Sequence, residues 1–138
     1  MAVLFDSSFY IQSLRTAGEI QGKRWMRDEP IWLSSVVLEE LYAGAGLKEA
    51  RVIEKLERDF AKAGRVLVPT LSDWTKAGKI LAAVGQRLGY ERIGRSRLSN
   101  DALIAASAAR MGICVITANR GDFAVFAGLC PLDWRQSE

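Results

Sequence analysis

Val3-Leu4-Phe5-Asp6-Ser7-Ser8 opens on three apolar residues with no amphipathic period and stops at an acid and two hydroxyls. So short a run fits a strand buried on both faces of a sheet, and Asp-Ser-Ser is N-cap chemistry for a following helix. The same grammar recurs along the chain. Helical residues extend to about Arg27, broken by Gly18 and Gly22, and Pro30 leads into a second strand candidate, Ile31-Trp32-Leu33. Ser34-Ser35 cap a helix through about Ala43, and a charged, amphipathic helix runs from Leu47 to Ala63 until Gly64 stops it. Val66-Leu67-Val68 is the third strand candidate, ended by Pro69, and Ser72 is placed to cap a helix to about Leu88. Ser99 is placed to cap another, Asn100 to Met111, closed by Gly112. Ile113 to Ile116 is the fourth strand candidate, Thr117 to Asp122 a polar loop, and Leu129-Cys130-Pro131-Leu132 a candidate edge strand. Short apolar strands alternating with helices predict an α/β fold, a parallel sheet with helices on both faces, in one domain spanning 1–138. In such sheets the ligand crevice lies at the carboxyl ends of the strands.

Composition narrows the chemistry. The chain has 138 residues, 49% apolar and 25% charged, which is ordinary for a globular domain with a core of its own. It contains no histidine, which excludes Ser-His-Asp and Cys-His nucleophilic machinery, His-based zinc sites and His general bases. Cys114 and Cys130 are too few for a four-thiolate zinc site, and Cys114, inside Ile113-Cys114-Val115-Ile116, reads as a small buried hydrophobe. Hydrolysis by such a chain rests on carboxylates, lysines or bound metal. Nineteen Lys and Arg against sixteen Asp and Glu give +3, a mild excess compatible with a nucleic-acid partner. The acid at Asp6 comes too early for a signal peptide, and no apolar run approaches the ~18 residues of a membrane span, so the expected location is the cytosol, away from membranes.

Four acids stand in improbable places. Asp6 follows the first strand candidate, where it serves either as an N-cap or as a functional carboxylate. On a helical wheel Glu40 falls in the middle of the face formed by Val36, Val37, Leu41 and Gly44, whereas Glu39 lies beside Tyr42 and Ala43. A carboxylate there is costly to desolvate unless it is paired, so Glu40 either reaches a buried arginine or faces a site. Asp101 projects along the stripe of Ile104, Ala105, Ala108 and Ala109; a first-turn position suits an acid in any case, but the inward face is unexplained by that. Asp122 follows Gly121 in a turn-rich loop, where Asp is common for local reasons. In a parallel sheet these acids can converge on one crevice, where mutual repulsion is relieved by a divalent cation. Oxygen donors without His or Cys select Mg²⁺ or Mn²⁺. Arg87, Arg92, Arg95 and Arg97, with Tyr90 among them, are placed either to guide phosphate toward this centre or to form a solvated connection.

Four pieces of the chain resemble PIN-domain nucleases, and more narrowly VapC-type toxins of toxin–antitoxin pairs. They are Leu4-Phe5-Asp6-Ser7-Ser8, Val37-Leu38-Glu39-Glu40-Leu41-Tyr42-Ala43-Gly44, Asn100-Asp101-Ala102-Leu103-Ile104-Ala105-Ala106 and Thr117-Ala118-Asn119-Arg120-Gly121-Asp122-Phe123. The resemblance implies a PIN-like three-layer α/β/α sandwich around a mainly parallel sheet of four to five short strands. It implies a metal set of Asp6, Glu40 and Asp101, with Asp122 at a more variable fourth position, and supporting roles for Ser7 or Ser8, Thr117 and Asn119. The implied activity is Mg²⁺- or Mn²⁺-dependent endonucleolytic cleavage of RNA by an activated water, leaving a 5′-phosphate and a 3′-hydroxyl. The implied partners are the RNA substrate, a VapB-type antitoxin and a second copy of the chain in a homodimer. Trp25, Trp32 and Tyr42 are candidates for antitoxin contacts and equally for the core. Two other classes compete. A phosphatase of the haloacid-dehalogenase type also begins with an Asp after its first strand but wants a second Asp two residues on, where this chain has Ser8. The other is a PIN-like module that binds RNA or protein without cutting.

Overall fold

The computed structural model describes residues 1–17, 30–89 and 96–137. The expected continuation of the first helix to Arg27, and Trp25, Tyr90, Arg92 and Arg95, lie outside the described residues, as do the side chains of Ser96 and Arg97. In chain order the elements are β1 (Val3–Phe5), α1 (Ser7–Ala17), β2 (Ile31–Ser34), α2 (Ser35–Ala43) and α3 (Leu47–Lys62). They continue with β3 (Val66–Leu67), α4 (Leu71–Leu88), α5 (Ser96–Met111), β4 (Cys114–Thr117), α6 (Arg120–Ala127) and β5 (Trp134–Gln136).

All five strands are parallel, in the order β3-β2-β1-β4-β5. Val3 of β1 pairs with Ile31 on one side and Cys114 on the other, so the first strand is the middle of the sheet. The chain winds outward from β1 through β2 to β3, then returns across the sheet to β4 and continues to β5. Right-handed crossovers put α1, α2 and α3 on one face and α4, α5 and α6 on the other. The winding direction reverses between β1 and β4, and the crevice of a doubly wound sheet opens at that point, beyond the strands' carboxyl ends. Asp6 follows β1 immediately, and Thr117 ends β4. Although assigned to opposite faces, α2 and α5 touch each other.

The central strands explain their own composition. Val3, Leu4 and Val115 are fully buried, and Ile53, Ile80, Ile104, Phe123 and Phe126 close over them from the helices. Fully burying an aliphatic or aromatic side chain contributes about 1.5–3 kcal/mol, so these short strands are held by their faces more than by their length. Phe5 stacks on Phe9 at 4.1 Å between ring centres, and Tyr10 meets Phe5 edge-on at 6.3 Å, which seats α1 on β1. Burial pushes the Tyr10 phenol well above its ordinary range. Gly64 and Gly112 end α3 and α5 as expected, with φ of 69° and 66°. In both, the next amide turns back onto the helix, Arg65 N to Phe60 O and Ile113 N to Ala108 O, the left-handed closure that glycine adopts most easily.

Several elements differ from the sequence reading: the fourth strand is shifted by one residue to Cys114–Thr117, and α6 stands where the sequence predicts a polar loop. The third strand stops at Leu67, because Val68 is exposed and precedes Pro69. The cap of α4 is Thr70 rather than Ser72: Asp73 N donates to Thr70 Oγ1 (3.3 Å) while Thr70 N donates to Asp73 Oδ2 (2.9 Å). The helix expected from Asn100 begins at Ser96, where burial of Leu98 draws the preceding turn onto the core. The edge strand lies at Trp134–Gln136, not at Leu129–Leu132. The amides of Leu129 and Cys130 are used by Phe126 O, and Pro131 has none to give a ladder. Both cysteines are buried and unbridged, and Cys114 sits in the core as expected. Among the described residues no helix is long and apolar enough to cross a membrane.

Candidate functional site

Asp6 is carried off the end of β1 into the crevice and is 3% exposed. Its carboxylate accepts from Ser8 Oγ (2.5 Å) on one oxygen and from Thr117 Oγ1 on the other. Of the two serines after β1, Ser8 makes this contact from the first turn of α1. Thr117 is fully buried at the end of β4, and its hydroxyl oxygen also accepts from the backbone N–H of Asn119 (2.9 Å). One threonine therefore joins the first strand's acid to the last motif.

Asn119 continues the network. Its side-chain Nδ2 donates to Asp101 Oδ2 (3.1 Å) and to Asp122 Oδ2 (2.9 Å), and its Oδ1 accepts from Asp122 N as the cap of α6. An amide NH₂ has two protons to give, so a single asparagine can serve both carboxylates. Asp101, 4% exposed, lies in the second turn of α5 because that helix begins at Ser96. The first-turn dipole explanation for an acid there does not apply. Asp122, read from sequence as a loop residue, is instead in the first turn of α6 and half-buried.

Glu40 is carried by a separate helix. It is half-buried on α2 and faces a cavity of about 190 Å³ with Ile11, Leu14 and Arg15 of α1 and with Glu49 of α3. Val36, Val37 and Leu41 are buried around it, Gly44 of the expected face is exposed, and Glu39 points to solvent. The structure thus brings Asp6, Thr117, Asn119, Asp101 and Asp122 into one hydrogen-bonded set, while Glu40 lines the cavity between α1, α2 and α3.

The donor chemistry of this end suits a hard cation. Every donor is an oxygen, and among the described residues Asp6 is met only by hydroxyls, with no ion pair. Ser8, Thr117 and Asn119 supply hydroxyl and amide donors to the set. Among the described residues no three acidic or cysteine side chains are gathered tightly enough to hold an ion.

Of the basic residues, Arg87 is exposed in the last turn of α4 and Arg97 lies in the first turn of α5. Trp32 is half-buried against the core. Tyr42 donates from its phenol to Glu57 Oε1 (2.7 Å), tying α2 to α3. Desolvation, together with that bond and the charges of Glu57 and Glu54, pushes its pKa up to about 12. One acid escaped the sequence reading. Asp73, 2% exposed, is bound by Arg110 Nε through both carboxylate oxygens (2.9 and 3.0 Å). The Thr70-x-x-Asp73 spacing is a capping-box signature and could have located it.

A parallel, doubly wound sheet with hydrogen-bonded carboxylates at its switch point defines an α/β protein with a candidate acidic site. The sequence profile of the PIN domain matches residues 3–129, and the chain belongs to that family. Solved structures agree on the fold. A chain of DNA-bound VapBC from Salmonella typhimurium superposes with a TM-score of 0.69 at 20% identity, covering 99% of this chain and 98% of that one. A chain of VapBC-1 from nontypeable Haemophilus influenzae gives 0.64 at 23% identity, covering 99% and 98%. One from VapBC-5 of Mycobacterium tuberculosis, described as a member of the VapBC family of toxin-antitoxin systems, gives 0.61 at 21% identity with the same coverages. No curated protein sequence matches the chain.

Proposed function

We propose that this chain is a Mg²⁺- or Mn²⁺-dependent endoribonuclease and the toxin half of a VapBC-like toxin–antitoxin pair. The observation that supports this reading most is the buried run of contacts from Ser8 through Asp6, Thr117 and Asn119 to Asp101 and Asp122. It crosses three segments distant in sequence and lies where a doubly wound sheet binds its ligand. PIN domains are generally nucleases, and the similar solved chains come from VapBC assemblies.

In this reading Asp6, Glu40 and Asp101 hold the ion and Asp122 completes or orients the set. The ion, when bound, lowers the pKa of a coordinated water and offsets charge developing on the phosphate. The protein's own part is positional. Ser8 and Thr117 fix the Asp6 carboxylate from both sides, and Asn119 bridges Asp101 and Asp122 by donating a hydrogen bond to each. The missing histidine is no obstacle, because no imidazole base is required. Arg87, Arg92, Arg95 and Arg97 serve to draw in the RNA backbone. The protein works in the cytoplasm as a homodimer, restrained by a VapB-type antitoxin.

The test is cleavage of structured RNA by the purified protein in Mg²⁺ or Mn²⁺, with and without chelator, against Asp6→Asn. Metal-dependent cutting lost in the variant is expected. RNA bound but uncut by the wild type overturns the proposal in favour of a binding module, and cutting that survives chelation overturns the metal dependence.

A further inference from the structure

A further cavity lies away from the acidic end. About 680 Å³ of space lies between the first half of α4, the second half of α5 and the Cys130–Pro131 turn. Its walls include the small apolar residues Ala106, Ala109 and Pro131, and its charged groups are Lys76, Lys79, Arg110 and one acid, Asp73. Asp73 is already taken: both its oxygens accept from Arg110 Nε, and Thr70 N shares one of them. The cavity therefore presents a net positive charge that the protein itself does not answer. Lys76 and Lys79 are exposed, and among the described residues neither joins an ion pair. They stand three apart on one helix, where like charges repel at a cost of a few tenths of a kcal/mol. Lys76 also lies close enough to Cys130 for its charge to favour the thiolate, against the burial that pushes the thiol up.

The volume is that of a small-molecule site, and such sites combine apolar walls with a few polar groups that fix orientation. We infer that this cleft binds a small organic anion, an apolar body carrying one sulfonate, carboxylate or phosphate, with Ala106, Ala109 and Pro131 against the body and Lys76 and Lys79 on the charge. A peptide is the less favoured occupant, because the space is a cleft between two helices and a turn rather than an extended groove. The site is independent of the nuclease reading. Arg110, on its rim, stands nine residues along α5 from Asp101, about 13 Å of helix.

The probe is 8-anilinonaphthalene-1-sulfonate, titrated into the whole folded protein by fluorescence and calorimetry, with the uncharged anilinonaphthalene in parallel. Saturation at one site per chain is expected, with weaker binding of the uncharged compound. Lys76→Glu/Lys79→Glu, confined to exposed positions, should weaken the sulfonate about tenfold, roughly 1.4 kcal/mol, and Ala109→Leu should weaken both compounds by filling the cleft. Asp6→Asn should bind the probe as the wild type does, which keeps this site separate from the acidic one. Binding that does not saturate, or that is unchanged in the charge-reversed variant, overturns the proposal. So does loss in Asp6→Asn.

Discussion

Asp6 and Asp73 are both buried aspartates, 3% and 2% exposed, and each stands at the start of a helix. They are held in opposite ways. Asp73 accepts from a guanidinium and from the Thr70 amide. Burial pushes its carboxyl up, but the hydrogen bonds and charge of Arg110 and the Thr70 N–H outweigh that and hold it below the usual carboxylate range. Among the described residues Asp6 is met by two hydroxyls alone. A fixed arginine completes the electrostatics of one acid and makes it a structural clamp between α4 and α5. Hydroxyls orient the other, with no guanidinium against it among the described residues.

That contrast can be broken most directly at Asp6. Asp6→Asn should lower RNA cleavage on the order of a hundredfold or more while moving stability by only about 1 kcal/mol. Added Mg²⁺ should raise the Tm of the wild type, by about 2.7 kcal/mol of stability at a hundred times Kd, and leave the variant unmoved. An equal Tm response from both proteins, read by thermal melts, would remove Asp6 from the metal set.

Asp73→Ala should do the reverse. It removes the charged contact to Arg110 and the capping box together, for a loss of about 2–4 kcal/mol in denaturant unfolding, with activity per folded molecule retained. The acid limb gives a second reading of the same pair. Because the folded carboxyl lies below its unfolded value, near 3.9, its contribution is full above about pH 4 and fades as pH falls through the lower folded value. Wild type and Asp73→Ala should therefore converge in stability as pH drops from 5 toward 2. Parallel curves would show that Arg110 does not act through charge.

Asn119→Asp sharpens the comparison inside the site by replacing the shared amide donor with a third acid. A destabilisation of about 1–3 kcal/mol is expected, partly recovered by Mg²⁺, since a cation answers clustered carboxylates. A variant as stable as the wild type in chelator would show that the amide does not bridge Asp101 and Asp122. A smaller effect on activity is expected at Thr117→Val, where the hydroxyl serving both Asp6 and the Asn119 amide is lost for about 1–2 kcal/mol, with cleavage reduced less than in Asp6→Asn.

Much of the fold was legible locally. The runs at Val3, Ile31, Val66 and Ile113 marked the sheet because residues buried on both faces lose all alternation, and Gly64 and Gly112 marked helix ends. Strand five was misplaced because Trp134–Gln136 is an edge, half-buried to exposed, with little apolar signal of its own. The start of α5 was misplaced because a local cap at Ser99 lost to the burial of Leu98. Within the site, Asp101 stood out from its apolar stripe, and the stripe proved buried up to the half-buried Ala109.

Residue types and their order along the chain determined the α/β class, the membership of the cores and the absence of imidazole chemistry, because each is a property of one segment or of the whole composition. Which acid met which partner was decided only in three dimensions. Thr117 reaches Asp6 across 111 positions and Arg110 reaches Asp73 across 37. No periodicity encodes such a meeting, since it depends on the strand order that sets β4 beside β1 and on the antiparallel packing of α4 with α5.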